Sequence, residues 1–66
     1  MNRIIEVATE LAAKHDLHIL RLDMVLLGDG RIRGTLYLGR RKDTVIRAYY
    51  DIYSDGVNVL YTKECV

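Results

Sequence analysis

The sequence of 66 residues predicts an α+β domain in which one N-terminal helix packs on a four-stranded antiparallel meander sheet. Three observations support this fold class. Residues 3–15 carry apolar side chains at helical spacing. The tripeptides Gly-Asp-Gly at 28–30 and Ser-Asp-Gly at 54–56 lie between stretches of alternating apolar and polar residues, a strong hairpin signal. The polar segment 39–43 separates two further stretches of this kind, so the remaining chain divides into four strands.

The helix is predicted over residues 3–15. Asn2 precedes it and is the expected N-cap, because its side chain can accept a hydrogen bond from the first turn. No glycine follows the helix, so the sequence leaves its end open near residues 15 and 16. The apolar residues recur every three or four positions and form one stripe for packing on the sheet, which consists of Ile4, Ile5, Ala8, Leu11 and Ala12.

The strands are predicted over residues 17–27, 31–39, 44–53 and 57–66, within one domain that spans residues 1–66. In the first two strands the apolar residues of one face are all even-numbered. Leu26 can then face Ile32 only across a three-residue loop, since a two-residue turn would pair even with odd positions. Such a loop places Gly30 in the left-handed conformation, which glycine adopts without steric cost.

The middle hairpin is expected to pair two small residues. A loop over residues 39–43 would place Leu36 opposite Ile46 and Gly34 opposite Ala48. Glycine and alanine facing each other leave a dip at the centre of the sheet. We therefore expect the helix to lie close to the sheet at Gly34.

The last hairpin shows a change from even to odd apolar positions. This change predicts a two-residue turn at Asp55 and Gly56, which would pair Ile52 with Val59. The same register would put the odd-numbered residues of the last strand on the helix side of the sheet, namely Val57, Val59, Tyr61 and Cys65.

The other face of the sheet interleaves arginine, tyrosine and aliphatic side chains, and it is the candidate binding surface. The cores of protein interfaces are enriched in tyrosine and arginine and depleted in lysine. One helix leaves much of a four-stranded sheet uncovered, so we expect this surface to be accessible to a partner. The candidate partner-binding residues on it are Arg33, Tyr37, Arg47, Tyr49 and Tyr53.

The formal net charge of +1 is spread unevenly, because residues 17–49 carry seven cations and three anions. The densest positive patch lies in the loop between the second and third predicted strands, at Arg40, Arg41 and Lys42. These three residues complete the predicted partner-binding set, since cations at a loop tip can steer the encounter with an acidic surface.

Two kinds of macromolecular partner fit these residues. Tyrosine rings stack on bases and arginines bind phosphates, so single-stranded nucleic acid bound by the same face and the loop 40–42 is the alternative. The predicted register places Arg31 opposite Asp51 and Arg47 opposite Glu64, which would neutralise much of the positive charge. Protein recognition is therefore the leading interpretation: a small adaptor or inhibitor that self-associates or docks a protein partner through the exposed sheet face. We expect a homodimer.

No residue pattern points to an enzyme, a cofactor or a metal site. Ser54 and the threonines have no obvious base beside them, and the sequence contains no glycine-rich phosphate loop. His15, His18 and Cys65 do not form the paired ligand sets that are typical of zinc sites. We expect a binding protein without catalytic residues.

The composition also indicates a compartment. Half of the residues are hydrophobic, which is too many for a disordered chain, yet no apolar run approaches the ~20 residues that cross a bilayer. Glu6 and Glu10 stand where a secretory signal would have its apolar core. Cys65 is the only cysteine. These features predict a cytoplasmic protein with a reduced thiol.

Residues 25–36 resemble the first motif of Sm-like RNA-binding rings, in which an apolar strand precedes a Gly-Arg turn and a Gly-x-Leu segment. The spacing from Arg31 to Gly34 is one residue shorter than in that family. Arg40 and Thr44 replace the family's loop aspartate and asparagine, and Asp55 replaces the arginine of its second motif. We therefore transfer no functional residue from the family to this chain.

Overall fold

The computed structural model describes residues 3–65. One helix and four strands follow each other along the chain: α1 (Arg3–His15), β1 (His18–Leu26), β2 (Ile32–Gly39), β3 (Ile46–Ser54) and β4 (Val59–Glu64). The strands form one antiparallel sheet in the order β1-β2-β3-β4, and α1 packs on one of its faces. The predicted α+β fold class is confirmed. Two predicted positions, the N-cap Asn2 and the strand end at Val66, lie outside the described residues.

The core lies between α1 and the sheet. The predicted apolar stripe buries Ile4, Ala8 and Ala12, whereas Ile5, at its edge, remains half exposed. The sheet contributes buried side chains from its two central strands, namely Leu36, Leu38, Ala48, Tyr50 and Ile52. Within residues 3–65 no helix is long and apolar enough to cross a membrane.

The end of α1, which the sequence left open, is a Schellman motif. The amide of Leu17 donates to the carbonyl oxygen of Ala12 at 2.9 Å, and the amide of Asp16 donates to that of Ala13 at 3.2 Å. Asp16 has a φ of 53°, so an aspartate occupies the left-handed position that usually carries glycine. Leu17 then packs against the core and fixes the direction in which β1 begins.

The first hairpin has the predicted register. Leu26 is opposite Ile32 and Leu22 is opposite Leu36. Gly30 has a φ of +88°, which confirms the left-handed residue at the end of the three-residue loop. Even-odd alternation of apolar residues predicts this register because, with the turn at Gly28 to Gly30, a three-residue loop is the length that keeps the apolar residues of both strands on one face.

The predicted register of the middle hairpin is wrong. Gly34 is opposite Ile52 rather than Ala48, and Leu36 is opposite Tyr50 rather than Ile46. The observed register still pairs even with even positions, so hydrophobic alternation does not distinguish it from the predicted one.

Hydrogen bonds in the loop explain the longer connection between β2 and β3. The amide of Asp43 donates to the carbonyl oxygen of Arg40 at 3.3 Å. The carboxylate of Asp43 accepts from the amide of Val45 at 3.1 Å. These two bonds keep residues 40–45 out of the sheet, so pairing with β2 starts only at Ile46.

The predicted two-residue turn of the last hairpin is also wrong. Ser54 pairs with Val59, so the loop spans residues 55–58. The carboxylate of Asp55 accepts from the amides of Val57 at 2.9 Å and Asn58 at 2.7 Å. An aspartate that captures the amides two and three residues ahead stabilises a wider loop than an Asp-Gly turn.

A register shift between Tyr53 and Ser54 then exchanges the two faces of β4. Val59 packs against the core as predicted. Beyond the shift Tyr53 pairs with Tyr61, and Tyr50 pairs with Glu64. Tyr61 and Cys65 therefore lie on the face opposite α1, and the predicted arrangement that set Arg47 against Glu64 is wrong.

We predict that Gly34→Ala destabilises the protein by ~1–3 kcal/mol, since the added methyl group overpacks the contact with the helix. A Cβ atom at Gly34 would lie 2.6 Å from Cγ2 of Ile4, a branch that is fixed close to the backbone. The midpoint of thermal unfolding should fall by ~4–8 °C for each kcal/mol. The matched control is Gly28→Ala, where a Cβ would meet nothing within 4 Å. Equal melting temperatures for the two variants would contradict the close approach of α1.

We also predict that Asp55 contributes to acid sensitivity. The two backbone amides hold the pKa of Asp55 below its ordinary value. In the unfolded chain an aspartate titrates near ~3.9, so below that pH the unfolded state binds more protons and the free energy of unfolding falls. The contribution is complete above ~4 and is lost as the pH drops through the lower pKa of the folded state.

Asp55→Asn keeps the accepting oxygen and removes the titration. Its free energy of unfolding, measured with urea between about pH 2 and 6, should therefore fall less steeply with acid than that of the parent protein. Identical slopes would show that the two amide bonds do not distinguish the charged carboxylate from the neutral one.

Candidate functional site

We call the sheet surface opposite α1 the helix-free face. It consists of three cross-strand rows, which follow from the observed pairing. The rows are Val25–Arg33–Tyr53–Tyr61, Asp23–Thr35–Asp51–Lys63 and Arg21–Tyr37–Tyr49–Cys65. Five predicted partner-binding residues are odd-numbered members of β2 and β3, and the structure brings four of them together in these rows: Arg33, Tyr37, Tyr49 and Tyr53.

Two pairs of tyrosines dominate this surface. The rings of Tyr53 and Tyr61 stack with their centroids 4.7 Å apart and their planes 8° from parallel. The rings of Tyr37 and Tyr49 stack with centroids 5.9 Å apart. Tyr49 and Tyr61 are 39% and 51% exposed, so each pair presents one ring to solvent. Stacked rings are held in place before any partner arrives.

The row between the two tyrosine pairs carries acidic side chains. Asp51 accepts a hydrogen bond from Oγ1 of Thr35 at 3.2 Å and a weak one from Sγ of Cys65 at 3.5 Å. Burial raises the pKa of Tyr61, and its hydrogen bond to Tyr53 and the nearby charge of Asp51 raise it further. The row between the tyrosine pairs thus holds the carboxylates of Asp23 and Asp51 beside one cation, Lys63, and it is not a basic stripe of the kind that binds phosphates.

Most of the arginines near this face are engaged with carboxylates of the same chain. Arg21 binds Asp23 at 2.8 Å and Arg47 binds Asp43 at 3.6 Å. The predicted pairing of Arg31 with Asp51 is wrong, since the guanidinium of Arg31 is 2.5 Å from Asp29. Its hydrogen bond to Asp29 lowers the pKa of that carboxyl group. Local pairing thus removes much of the positive charge that the sequence places here.

Arg33 differs from these arginines. It is half-buried in β2 between Val25 and Tyr53, and its Nε is buried with no hydrogen-bond partner within the described residues. A buried N–H without an acceptor costs stability, so a group supplied from outside the chain could satisfy it. Among the described residues of this face, Arg33 thus has a buried side-chain N–H that the fold leaves without an acceptor.

Two concave sites, or hollows, lie beside the Tyr37–Tyr49 pair, so this part of the face is not flat. One, of about 470 Å³, is lined by Leu20, Arg21, Tyr37, Thr44 and Ile46. The other, of about 330 Å³, is lined by Tyr37, Ile46, Arg47, Ala48 and Tyr49. Ile46 is half exposed between them. Arg47, the fifth predicted residue, lies at this end of the face, beside the tyrosines.

The loop cations take a different position. Arg40, Arg41 and Lys42 are exposed, as predicted. Arg40 and Arg41 line a cleft of about 500 Å³ at the end of α1, together with His15, Asp16, Leu17 and His18. This cleft shares no lining residue with the two hollows. The structure thus divides the predicted binding set between the helix-free face and a basic cleft lined by Arg40 and Arg41, and Lys42 lines neither the cleft nor the hollows.

Tyr61 and Cys65 are members of the helix-free face that the sequence analysis missed. The predicted register puts them on the helix side because it lacks the register shift between Tyr53 and Ser54, which adds one residue to β4. The signal that could have placed them is the run Val59, Leu60 and Tyr61, since three consecutive apolar residues interrupt the alternation and fit a strand with one extra residue. The loop capped by Asp55 keeps the parity of a two-residue turn and does not change the face. In the part of the chain that the structure describes, no three His, Cys, Asp or Glu residues cluster so as to hold a metal ion.

Comparison with protein-family models, with curated proteins and with solved structures finds no match to this chain. The geometry of the helix-free face and of the basic cleft is therefore the basis on which function is inferred.

We predict that Arg33→Met leaves the melting temperature unchanged or raises it. Methionine keeps the apolar stem that packs in the sheet and removes the buried N–H that lacks an acceptor. Arg21→Met is the control, because Arg21 is exposed and bound to Asp23, and it should change stability little. A clear loss of stability in Arg33→Met alone would show that this guanidinium has a stabilising partner within the fold.

Proposed function

We propose that this chain is a small, non-enzymatic binding module that recognises protein through its helix-free face, as an adaptor or inhibitor, and that a second copy of the chain can occupy the same face. The observation that carries this proposal is the presence of two stacked tyrosine pairs on a sheet face that α1 does not cover.

The chemistry of these residues favours a protein surface as the partner. Tyrosine supplies a large contact area at a low cost in side-chain entropy, and the stacking of each pair reduces that cost further. The hollows beside Tyr37 and the half-exposed Ile46 offer apolar positions for a partner's side chains. Arg33 adds a donor at the other end of the same face.

Nucleic acid is less well supported by the same geometry. A phosphate-binding surface needs cations that are free to release counterions. On this surface Arg21 and Arg47 are bound to aspartates, and Asp51 lies between the tyrosine pairs. Arg40 and Arg41 line a cleft elsewhere. Single-stranded nucleic acid remains the alternative that the experiment must be able to detect.

The apolar area that α1 leaves exposed to solvent supports the proposed self-association. Val25, Ile46 and Tyr61 are 47%, 51% and 51% exposed. Removing such area from water yields ~25 cal/mol for each Å². A symmetric contact between the helix-free faces of two copies would cover the exposed apolar area of both copies with the same set of residues.

We predict that Tyr49→Asp weakens the homodimer at least about tenfold, because a charge replaces an aromatic ring within the contact and would have to be desolvated. Molar mass is measured by light scattering from micromolar to millimolar concentration. Val57→Asp is the matched control, because Val57 is 68% exposed in the β3–β4 loop. Tyr49→Ala accompanies Tyr49→Asp, so that a folding defect caused by the new charge is recognised.

The outcomes separate the possible arrangements. A parent protein that stays monomeric throughout the concentration range would remove the homodimer. A dimer that Tyr49→Asp and Val57→Asp weaken equally would exclude the helix-free face as its interface. Isolation of the chain from its source cells with and without nuclease, followed by binding at several salt concentrations, tests the alternative. Loss of the bound partner with nuclease and a steep salt dependence would favour nucleic acid over protein.

A further inference from the structure

We propose that the basic cleft between the end of α1 and the β2–β3 loop binds a tetrahedral oxyanion, as phosphate or a phosphate ester. Arg40 and Arg41 would hold the anion, together with the imidazoles of His15 and His18. The cleft measures about 500 Å³ and is separate from the helix-free face, so this site does not depend on the proposed protein interface.

Three segments of the chain bring these side chains together. His15 is the last residue of α1, and the Schellman motif turns the chain so that β1 begins at His18. His18 pairs with Gly39 in the sheet. Arg40 follows Gly39 directly, so the register places the start of the basic loop beside His18. The cleft is thus a product of the fold and not of sequence proximity alone.

The charges in the cleft are available for a ligand. The carboxylate nearest to Arg40 and Arg41 along the loop is Asp43, and it is bound to Arg47 and to the amide of Val45. Within residues 3–65 neither Arg40 nor Arg41 forms an ion pair. Asp16 is the one acidic side chain among the described residues that line the cleft. The cleft is therefore lined by two arginines and two histidines and by a single carboxylate.

The hydrogen bonds that cap the end of α1 at Ala12 and Ala13 do not use these cations. Arginine near a helix C-terminus can bind the last carbonyl oxygens. Here the carbonyl oxygens of Ala12 and Ala13 accept from the amides of Leu17 and Asp16. The Schellman motif thus satisfies these two helix-end acceptors with backbone, and the arginine guanidiniums are not required for them.

The His15 ring is held in position by a buried neighbour. Its Nε2 is hydrogen-bonded to the hydroxyl of Tyr50. Burial, followed by the charge of Glu64, raises the pKa of Tyr50, so the phenol keeps its proton. Nδ1 is then the ring nitrogen that remains for a ligand in the cleft. A fixed imidazole beside two guanidiniums suits an anion with several acceptor oxygens, because arginine binds such anions in a bidentate manner.

The experiment is an NMR titration of the labelled full chain with inorganic phosphate, with sodium chloride adjusted so that ionic strength stays constant. Amide signals of residues 15–18 and 39–41 should shift and saturate. Arg41→Gln should weaken binding about tenfold, the value of one charge-assisted contact. Lys42→Gln is the matched control, because it removes the same charge from the same loop but does not line the cleft. It should weaken binding less than about twofold, as screening at ordinary ionic strength predicts for a cation outside the site.

A second variant tests the sign of the effect. Asp16→Asn removes the carboxylate from the cleft and should tighten phosphate binding, since a repelling charge is lost. Amide spectra of each variant show whether the fold is retained. O-phosphoserine, with serine as its control, distinguishes a phosphate ester from the free ion: tighter binding of O-phosphoserine assigns the site to an esterified phosphate, and tighter binding of inorganic phosphate assigns it to the free ion.

Two results would overturn the proposal. One is the absence of saturation by either phosphate compound at about 20 mM, an affinity too weak for a defined site. The other is equal weakening by Arg41→Gln and Lys42→Gln, which would show that the whole loop attracts anions without a site in the cleft.

Discussion

The contact between Ile4 and Gly34 is the constraint on which the rest of this structure depends. The space beside Gly34 is occupied by Cγ2 of Ile4, so the first turn of α1 rests almost directly on the backbone of β2. Ala8 and Ala12 extend this close approach along the helix, because small side chains keep its axis near the sheet. A domain of this size buries little surface, so the loss of one such contact affects a large part of its stability.

The small size of the domain also creates the helix-free face. A single helix of 13 residues covers one side of the sheet, and no element among residues 3–65 covers the other side. Aromatic stacking partly compensates for this: each tyrosine pair shields its inner ring while the outer ring remains exposed. The result is a surface that is ordered without a partner and still retains apolar area. That combination is typical of a preorganised interface.

The sequence predicted the fold class and the strand order because alternation identifies which face of the sheet each residue occupies. Alternation does not distinguish registers that differ by an even number of residues, so the sequence pairs Gly34 with Ala48 although its partner, Ile52, lies four residues further on. It also fails where a strand contains an extra residue. The shift near Tyr53 exchanged the faces of β4 and brought Tyr61 to the helix-free face. The first error originates in a loop whose aspartate, Asp43, captures a backbone amide, and the second originates in the extra residue within β4.

The ion pairs of the site, like the strand register, differ from those that the sequence predicts. The arginines were expected to meet carboxylates across neighbouring strands. The observed pairs Arg21–Asp23 and Asp29–Arg31 instead join residues two positions apart. The first two share one side of β1, and the second two lie within the turn of the first hairpin. Such local pairs form regardless of register, and they neutralise the helix-free face before a partner arrives. Arg40 and Arg41 escape this neutralisation because Asp43 is committed to Arg47, and the fold then gathers their charge at the end of α1. One chain thus presents a nearly neutral aromatic surface and, apart from it, a compact positive cleft, which favours different classes of ligand at the two places.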